Sequence, residues 1–410
     1  SAPPTSGPVA YTAVRTTAVL PTEVPQATPV SEKAVIVFWV EPPTDERRKV
    51  IAEVFRDTFN AAHPDIDLQI TFTEDIMRVM PTAMQAGSGP DIVSSYVIPC
   101  LEYTKAGLLA PLDDFAARYN WKDKMLPWAY ESGFVKGHLY SVPLTFETMI
   151  LLYNKTLFDR EAWKVPTNLS ELQAIFDACV KGGMYPFSYN NAEWKPSTEH
   201  LIGMMYDHYA GADNVYKALI GEKKWTDEEF VGAMAMLNDW FQKGYFSGSI
   251  DNYHGFTAED VWANFASGKA AMMMTGTWTF QSAPDAFRET GQEWDWAPMP
   301  PLREGVKPVY ALATGQTESV NAKCKNLDAA GAVMDWFYND KRRATKIAFA
   351  FNFGEWVVPL RYEAADFPEG TDPRVVRYFE DFVKVTGRGD YGYTTWTFWP
   401  AKTDTYLYEE

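Results

Sequence analysis

The chain of 410 residues has little cysteine and no long apolar run. Its three cysteines, Cys100, Cys179 and Cys324, are widely separated and odd in number, which excludes a disulfide framework and the close ligand spacing of a zinc site. We expect buried or free thiols. The longest strongly apolar stretches are short ones such as residues 34–40, well below the roughly 18 residues of a membrane span. We therefore expect a soluble body.

Positive charge is also scarce. The chain has 37 Lys and Arg against 54 Asp and Glu, a net charge of −17, which would repel the phosphates of nucleic acid and of anionic lipid. We expect no nucleic-acid partner. Aromatic residues are abundant, with 15 Trp, 22 Tyr and 25 Phe, and the tryptophans recur in polar, Pro- and Gly-rich segments where core packing does not demand them. This distribution predicts that several rings face a ligand.

The usual catalytic motifs are missing. There is no Walker-type phosphate loop, no nucleophile elbow and no His-Glu-x-x-His, and the five histidines show no metal-ligand spacing. We expect neither a metal nor a cofactor. Residues 387–392 have the glycine spacing of a dinucleotide-binding loop, but no strand precedes them and no helix follows, so a flexible loop is the better interpretation. Two acidic side chains across one pocket could cleave a glycosidic bond, which leaves a glycoside hydrolase as an alternative.

The length and the local patterns predict two lobes of α/β structure. A chain of 410 residues is too long for one compact core, and two lobes leave a cleft between them. Residues 1–31 are dominated by Pro, Thr, Ala and Val, which predicts a disordered tether, with an ordinary frayed terminus as the alternative. No signal peptide is present in the chain, so we interpret it as a mature protein tethered to a membrane.

The α/β pattern begins at Ala34. The apolar run 34–40 predicts a strand buried on both faces, a helix capped by Thr44 ends before Pro64, and alternating apolar residues predict a second strand over 66–72. This is a right-handed βαβ unit in a parallel sheet. A helix over about 75–86 and a short strand at 91–93 follow, and Asn168 with Glu171 begins another helix. Periodicity indicates later helices at about 227–243, 258–267, 327–338 and 373–385.

Several segments, taken in order, resemble a known family. They are Val37 to Trp39, Gly89 to Val93, Tyr103 to Asp113, Gly137 to Leu144, Leu152 to Lys155, Phe265 to Met272 and Thr275 to Trp278. In this order and spacing they resemble the extracellular solute-binding proteins of ABC transporters, in the sugar-binding group that includes maltose-binding protein. The resemblance covers residues 34–408.

The resemblance implies a type II periplasmic-binding-protein fold, with two α/β lobes joined by a hinge of several chain crossings and a ligand bound between them. Lobe one is expected at 32–143 and 302–350, and lobe two at 146–298 and 351–410. The end of the chain, from Asp404 to Glu410, resembles the start of the family's closing helix. The resemblance also implies a carbohydrate ligand, the membrane permease subunits of an ABC transporter as partners, a monomer, an extracytoplasmic location with a lipid anchor, and no enzymatic activity.

The same resemblance assigns ligand-binding residues. Trp278 and Trp399 match positions whose rings stack on sugar, with Trp396 expected to assist, and Glu147 lies four residues after Pro143 like the family carboxylate that accepts hydrogen bonds from hydroxyls. Ser95 stands where maltose-binding protein has a stacking Trp. Unless the neighbouring Tyr96 substitutes for that ring, this subsite is lost, so the ligand is expected to differ from maltose.

Three further residues are predicted from their local setting. Glu41 lies just beyond the first strand, at the strand-to-loop edge where α/β folds bind ligands. Trp194 in the polar loop 190–194 and Trp356 in 354–356 are further candidate ring surfaces. An aromatic site with acidic residues also suits a cation such as a polyamine, which is the second alternative to a sugar. The sequence does not identify the sugar, its linkage or its length.

Overall fold

A computed structural model describes residues 33–193 and 197–395, with the side chain of Ile98 excepted. The predicted tether at 1–31, the tryptophans Trp194, Trp396 and Trp399, and the expected closing helix at 404–410 lie outside these residues. No helix in the described part is long and apolar enough to cross a membrane. The three cysteines are free and buried, as predicted.

The described residues form thirteen strands and eighteen α-helices. The strands are β1 (Ala34–Val40), β2 (Ile66–Phe72), β3 (Ile92–Ser95), β4 (Phe134–Val135), β5 (His138–Leu139), β6 (Val142–Pro143), β7 (Phe146–Asn154), β8 (Tyr185–Phe187), β9 (Ala270–Gly276), β10 (Trp294–Ala297), β11 (Tyr310–Thr314), β12 (Thr317–Val320) and β13 (Tyr391–Tyr393). The helices are α1 (Asp45–Val50), α2 (Thr58–Ala62), α3 (Ile76–Ala86), α4 (Val97–Lys105), α5 (Asp113–Arg118), α6 (Trp121–Lys124), α7 (Pro127–Glu131), α8 (Lys155–Arg160), α9 (Leu169–Lys181), α10 (Ser197–Met205), α11 (Ala212–Leu219), α12 (Glu228–Gln242), α13 (Ile250–Gly255), α14 (Ala258–Ala266), α15 (Ala283–Thr290), α16 (Leu327–Trp336), α17 (Lys341–Ala350) and α18 (Pro373–Thr386).

The predicted βαβ unit is present. Strands β1 and β2 pair in parallel from Ala34 opposite Ile66 to Val40 opposite Phe72. Between them, α1, a π-helical stretch at Ile51–Asp57 and α2 form the helical connection, and the π-helical stretch was not predicted. The helices expected from periodicity match α3, α9, α12, α14, α16 and α18 to within two residues at each end. Asn168 accepts a hydrogen bond from the backbone N–H of Glu171 at 3.0 Å, which confirms the predicted cap.

Two predictions about β1 and its sheet were wrong in part. Val35 is 42 % exposed, because only alternate residues of β1, such as Ile36 and Phe38, pack in the main core. The strand is therefore fully buried on one face rather than on both. The sheet is mixed, since β2, β1 and β3 are parallel but β12 and β6 add to it antiparallel.

A second mixed sheet follows the order β13-β11-β7-β9-β8, with β10 also paired to β7. The chain leaves the first sheet between Pro143 and Phe146, and it returns between Thr314 and Thr317. The return had been expected near residue 302, but β11 hydrogen-bonds to β7 and so belongs to the second sheet. The assignment of residues to two lobes stays a prediction.

The hydrophobic core ties the two sheets together. Residues of the first sheet, such as Phe38, and one face of β7, such as Ile150, belong to one continuous buried cluster. The opposite face of β7, with Leu151, packs into a separate cluster with α9, α10 and α12. Because β7 is buried on both faces, the strand that carries Glu147 is rigidly held.

Candidate ligand-binding site

A cavity of about 240 Å³ lies where several strands begin or end. Glu41 follows the last residue of β1, Tyr96 follows the last residue of β3, and Glu147 is the second residue of β7. The segment Thr277–Gln281, a single stretch of 3₁₀ helix after β9, adds Trp278. The carboxyl ends of parallel strands are where open α/β sheets bind ligands. The lining comprises Val40, Glu41, Pro42, Pro43, Arg47, Tyr96, Thr145, Glu147, Trp278, Gln316, Phe351, Glu355 and Trp356.

The Trp278 ring is held from two sides. It lies against Gly276, where a methyl group would stand 1.9 Å from a ring carbon. The imidazole of His200 packs on it with ring centroids 4.8 Å apart. Burial lowers the pKa of His200 to about 3, so the ring is neutral at physiological pH, and its Nδ1 lies 3.1 Å from the hydroxyl of Tyr189. Trp278 is thus a partly exposed, supported ring surface at the cavity.

Tyr96 supplies a second ring. It is 39 % exposed and lines the cavity, so part of its ring is accessible to a ligand. Burial, together with the charges of Glu41, Glu147 and Glu355, raises the pKa of its hydroxyl to about 12. The hydroxyl therefore stays protonated and can donate a hydrogen bond.

Three carboxylates share the cavity. Burial, followed by the charge of Glu355, raises the pKa of Glu147 to about 8. One carboxylate oxygen of Glu147 lies directly over Gly315, where a methyl group would be 2.7 Å away. The pKa of Glu41 is also raised, by partial burial of its carboxyl group and then by Glu355, although the residue as a whole is exposed. Hydrogen bonds donated by a ligand would stabilise the charged form of these carboxyl groups, and without them the raised pKa leaves Glu147 largely neutral at physiological pH.

Among the described residues that line the cavity, Arg47 is the only basic one, and two of its five N–H donors are engaged within the protein. Its Nε donates to the carbonyl oxygen of Ala350 at 3.1 Å, and its Nη1 donates to Oε1 of Gln281 at 3.1 Å. The guanidinium lies over the ring of Phe351, 4.7 Å from its centroid. The arginine therefore braces the wall of the cavity and leaves the carboxylates without a direct counterion among the described lining residues.

The structure brings together five of the predicted site residues. Glu41, Tyr96, Glu147, Trp278 and Trp356 all line this cavity. Trp356 is only 4 % exposed, because its ring packs among the rings of β1 and of the helices over the first sheet. It therefore presents little surface to a ligand.

Ser95 is not among the lining residues. It is the last residue of β3 and is 1 % exposed, and its hydroxyl has no hydrogen-bond partner within the described residues. Tyr96, one residue later, reaches the cavity instead. The predictions for Trp194, Trp396 and Trp399 fall outside the described residues.

Sequence reasoning missed the other polar wall. Glu355 and Gln316 line the cavity, as does Arg47. Glu355 stands next to the predicted Trp356 in the Gly-Glu-Trp segment, and a carboxylate beside a candidate ring was a usable signal. Arg47 lies in a run of charged residues at the start of α1. Charged residues at such positions usually interact with the helix dipole, so no local pattern indicated that Arg47 lines the cavity.

Within residues 33–193 and 197–395, no group of three or more His, Cys, Asp and Glu side chains is arranged to hold a metal ion. The segment 387–392 follows the end of α18, and its last two residues belong to the short strand β13. It lacks the strand-turn-helix setting of a dinucleotide site.

Aromatic rings and carboxylates meet in the cavity at the strand ends of two mixed sheets. This arrangement defines a solute-binding protein of the two-lobed type. The chain belongs to the family of bacterial extracellular solute-binding proteins, whose model matches residues 42–344. This family consists of binding proteins, and its description places its members outside the cell.

Individual relatives are distant. The maltotriose-binding protein of Pyrococcus abyssi is 24 % identical over 356 residues, which cover 85 % of this chain and 71 % of that protein. The multiple sugar-binding protein of Streptococcus mutans serotype c is 25 % identical, over 57 % of this chain and 55 % of that protein. A solved chitin oligosaccharide binding protein has a TM-score of 0.71 at 18 % identity, over 91 % of this chain and 92 % of its own. That likeness shows the shared fold.

Proposed function

We propose that the protein binds a carbohydrate outside the cytoplasmic membrane and delivers it to the membrane subunits of an ABC-type uptake transporter. The observation that carries this proposal is the pairing of the Trp278 and Tyr96 rings with three carboxylates in one cavity. Sugars present flat C–H faces, which stack on rings, and hydroxyls, which donate to carboxylates. Relatives that are named for maltotriose and for multiple sugars support a carbohydrate ligand.

The proposed cycle is binding and release without chemistry. The ligand enters between the two sheets, the lobes close around it, and the closed form docks as a monomer on the permease, with a lipid anchor keeping the protein at the membrane. Oligosaccharides incubated with the protein are expected to keep their length in chromatography. Shortening that disappears in the Glu147→Gln variant would contradict the proposal and favour a glycoside hydrolase.

The direct test is calorimetric titration with a panel of mono- and oligosaccharides of different linkages. At least one sugar should bind and raise the melting temperature, since a ligand that binds only the folded state stabilises it. A panel without any heat or thermal shift would contradict carbohydrate binding.

Trp278→Ala should weaken sugar binding by about 1–3 kcal/mol, because it removes a supported stacking surface. The matched control is Trp163→Ala, a partly buried tryptophan that packs on Phe158 and does not line the cavity. It should leave the affinity unchanged. An unchanged affinity in a folded Trp278→Ala protein would remove this ring from the site.

A cationic solute is the second candidate, since Glu41, Glu147 and Glu355 line the cavity while Arg47 is engaged elsewhere. Salt separates the two. Raising the ionic strength from 0.05 to 0.5 M should hardly change the Kd of a neutral sugar, whereas it should clearly weaken binding of a polyamine, because salt screens charge attraction. Tight, salt-sensitive polyamine binding without sugar binding would favour this second candidate.

A further inference from the structure

Gln281 joins two parts of the cavity wall through its side-chain amide. Its Oε1 accepts a hydrogen bond from Nη1 of Arg47 at 3.1 Å, and its Nε2 donates to Oε1 of Glu355 at 3.1 Å. Arg47 belongs to α1, after the first strand of the first sheet, and Gln281 ends the 3₁₀ stretch that follows β9 of the second sheet. The amide therefore links elements that extend from the two different sheets.

The direction of this amide is determined by its partners. A guanidinium has five N–H donors and no acceptor, so only the oxygen of Gln281 can face Arg47. The NH₂ group must then point away from Arg47, which is where the carboxylate of Glu355 lies. Reversing the amide would place a donor against a donor and an oxygen against a carboxylate. The two hydrogen bonds that connect Arg47, Gln281 and Glu355 can therefore form together in only one orientation of the amide.

The segment that carries Glu355 is held in a costly backbone conformation. Asn352, Phe353 and Trp356 have φ values of 47°, 59° and 57°, in the left-handed region that costs a non-glycine residue about 1–3 kcal/mol. Such a conformation persists only where surrounding contacts impose it. The position of Glu355 is therefore set by what packs against residues 351–356.

The same 3₁₀ stretch provides several of these contacts. Asn352 Nδ2 donates to the backbone carbonyl of Gln281 at 3.4 Å. A methyl group at Gly354 would lie 2.6 Å from the carbonyl oxygen of Trp278, so the two segments meet closely there. On its other side the segment is tied down by the N–H of Trp356, which donates to Oγ1 of Thr145 at 2.9 Å.

We propose that Gln281 is a positioning residue for the ligand, which acts by orienting the carboxylate of Glu355 toward the cavity while Arg47 fixes the amide from the other side. The proposal rests on the cavity being the carbohydrate site described above. Glu355 is then a specificity-determining contact to sugar hydroxyls, and its orientation depends on the approach of the elements that carry Arg47 and Gln281.

The test is a double-mutant cycle with Gln281→Leu and Glu355→Gln, measured by calorimetry with the tightest-binding oligosaccharide of the panel. Each single variant should raise the Kd about tenfold, the loss expected for one hydrogen bond to a charged group. If Gln281 acts through Glu355, the double variant should bind no worse than Glu355→Gln alone. A Kd raised by the product of the two single effects would overturn the proposal.

Gln281→Glu separates positioning from simple support of Arg47. This variant keeps an acceptor for Arg47 but sets a carboxylate against Glu355, so it should bind sugar at least as poorly as Gln281→Leu. Native affinity in Gln281→Glu would overturn the proposal. In the double variant Gln281→Glu/Glu355→Gln, the new amide at position 355 can donate a hydrogen bond to the new carboxylate at position 281. Its melting temperature should therefore be higher than that of Gln281→Glu. A melting temperature no higher than that of Gln281→Glu would also overturn it.

The matched control is Gln242→Leu, at an exposed glutamine that ends α12, and it should bind like the native protein. Circular dichroism checks folding, and if Gln281→Leu does not fold, Gln281→Glu and its double variant with Glu355→Gln test the proposal in its place. Native protein that binds no sugar overturns both the proposed function and this inference. Native protein that binds sugar with an unchanged Kd in Gln281→Leu overturns only the inference.

Discussion

The surroundings of Glu147 disfavour the ionised form of its side chain. Glu147 stands in a strand whose other eight residues are all buried, and the carboxylate of Glu355 is close enough to oppose its ionisation. Both effects favour the neutral form, with burial as the larger. In that form Glu147 can both donate a hydrogen bond to a sugar oxygen and accept one from a sugar hydroxyl.

The raised pKa of Glu147 makes stability depend on pH in a defined direction. In the unfolded chain the group has its ordinary pKa of 4.5, and in the folded protein its pKa is about 8. Its stabilising effect is fully present below about pH 4.5 and is lost as the pH rises through about 8. Glu147→Gln cannot ionise and should not lose this stability. Its free energy of unfolding relative to that of the native protein should therefore increase by about 1–2 kcal/mol from pH 5 to pH 9, a value reduced for solvent screening in the cavity.

Urea unfolding of both proteins at pH 5, 7 and 9, without ligand, measures this difference. The control is Glu259→Gln, at an exposed residue of the first turn of α14, which should show no such trend. A difference between Glu147→Gln and native protein that stays constant with pH would contradict the raised pKa.

At the scale of elements, the turn between β9 and the 3₁₀ stretch decides where the Trp278 ring sits. All seven residues of β9 are buried, so this strand places the turn rigidly, and Gly276 at its end leaves room for the ring to fold back over the backbone. The φ of Gly276 is −106°, an ordinary value for any residue. Glycine is therefore required for space and not for backbone conformation.

Gly276→Ala should push the Trp278 ring out of place and weaken sugar binding at least threefold. The variant should also lose about 1–3 kcal/mol of stability, the usual cost of overpacking. Gly255→Ala, at a helical glycine with open space around it, is the control and should change neither quantity. Native affinity in Gly276→Ala would show that the ring can move aside without consequence for the ligand.

At the scale of the whole molecule, the shared core and the three chain crossings between the two sheets, two of them short, are what allow a clamp. Phe146 at the start of β7 packs on Phe382 of α18 with centroids 5.0 Å apart, in the cluster that also contains Phe38 of the first sheet. The short connections at 143–146 and 314–317 lie beside this packing. Short crossings next to a rigid core are where hinge motion is absorbed in two-lobed binding proteins.

Ligand binding should therefore compact and stabilise the protein together. A sugar at one hundred times its Kd should add about 2.7 kcal/mol to the free energy of unfolding, and the radius of gyration in small-angle X-ray scattering should fall. A non-binding sugar at the same concentration is the control. Stabilisation with an unchanged radius of gyration would contradict closure.

Much of the fold could be predicted from local sequence patterns. The β1, helix and β2 unit and six helices follow from periodicity and caps such as Asn168, since these depend on residues near in the chain. The second sheet was not assembled in advance. Its strands pair across long stretches of chain, as β7 does with β9 and β11, and no local pattern encodes such partners.

The candidate site divides in the same way. Residue type and local setting were enough to predict Glu41, Tyr96, Glu147 and Trp278 as site residues, and all four line the cavity. Each of them follows or begins a strand or lies within a segment that resembles the family. Arg47, Gln281 and Glu355 come together only through tertiary structure, because Arg47 and Gln281 meet across 234 residues of sequence and Gln281 and Glu355 across 74. The sequence by itself determined an α/β binding protein with aromatic and acidic side chains available for a ligand. Packing between the two sheets alone decided which polar groups meet, because hydrogen bonds between distant segments depend on where the strands place them.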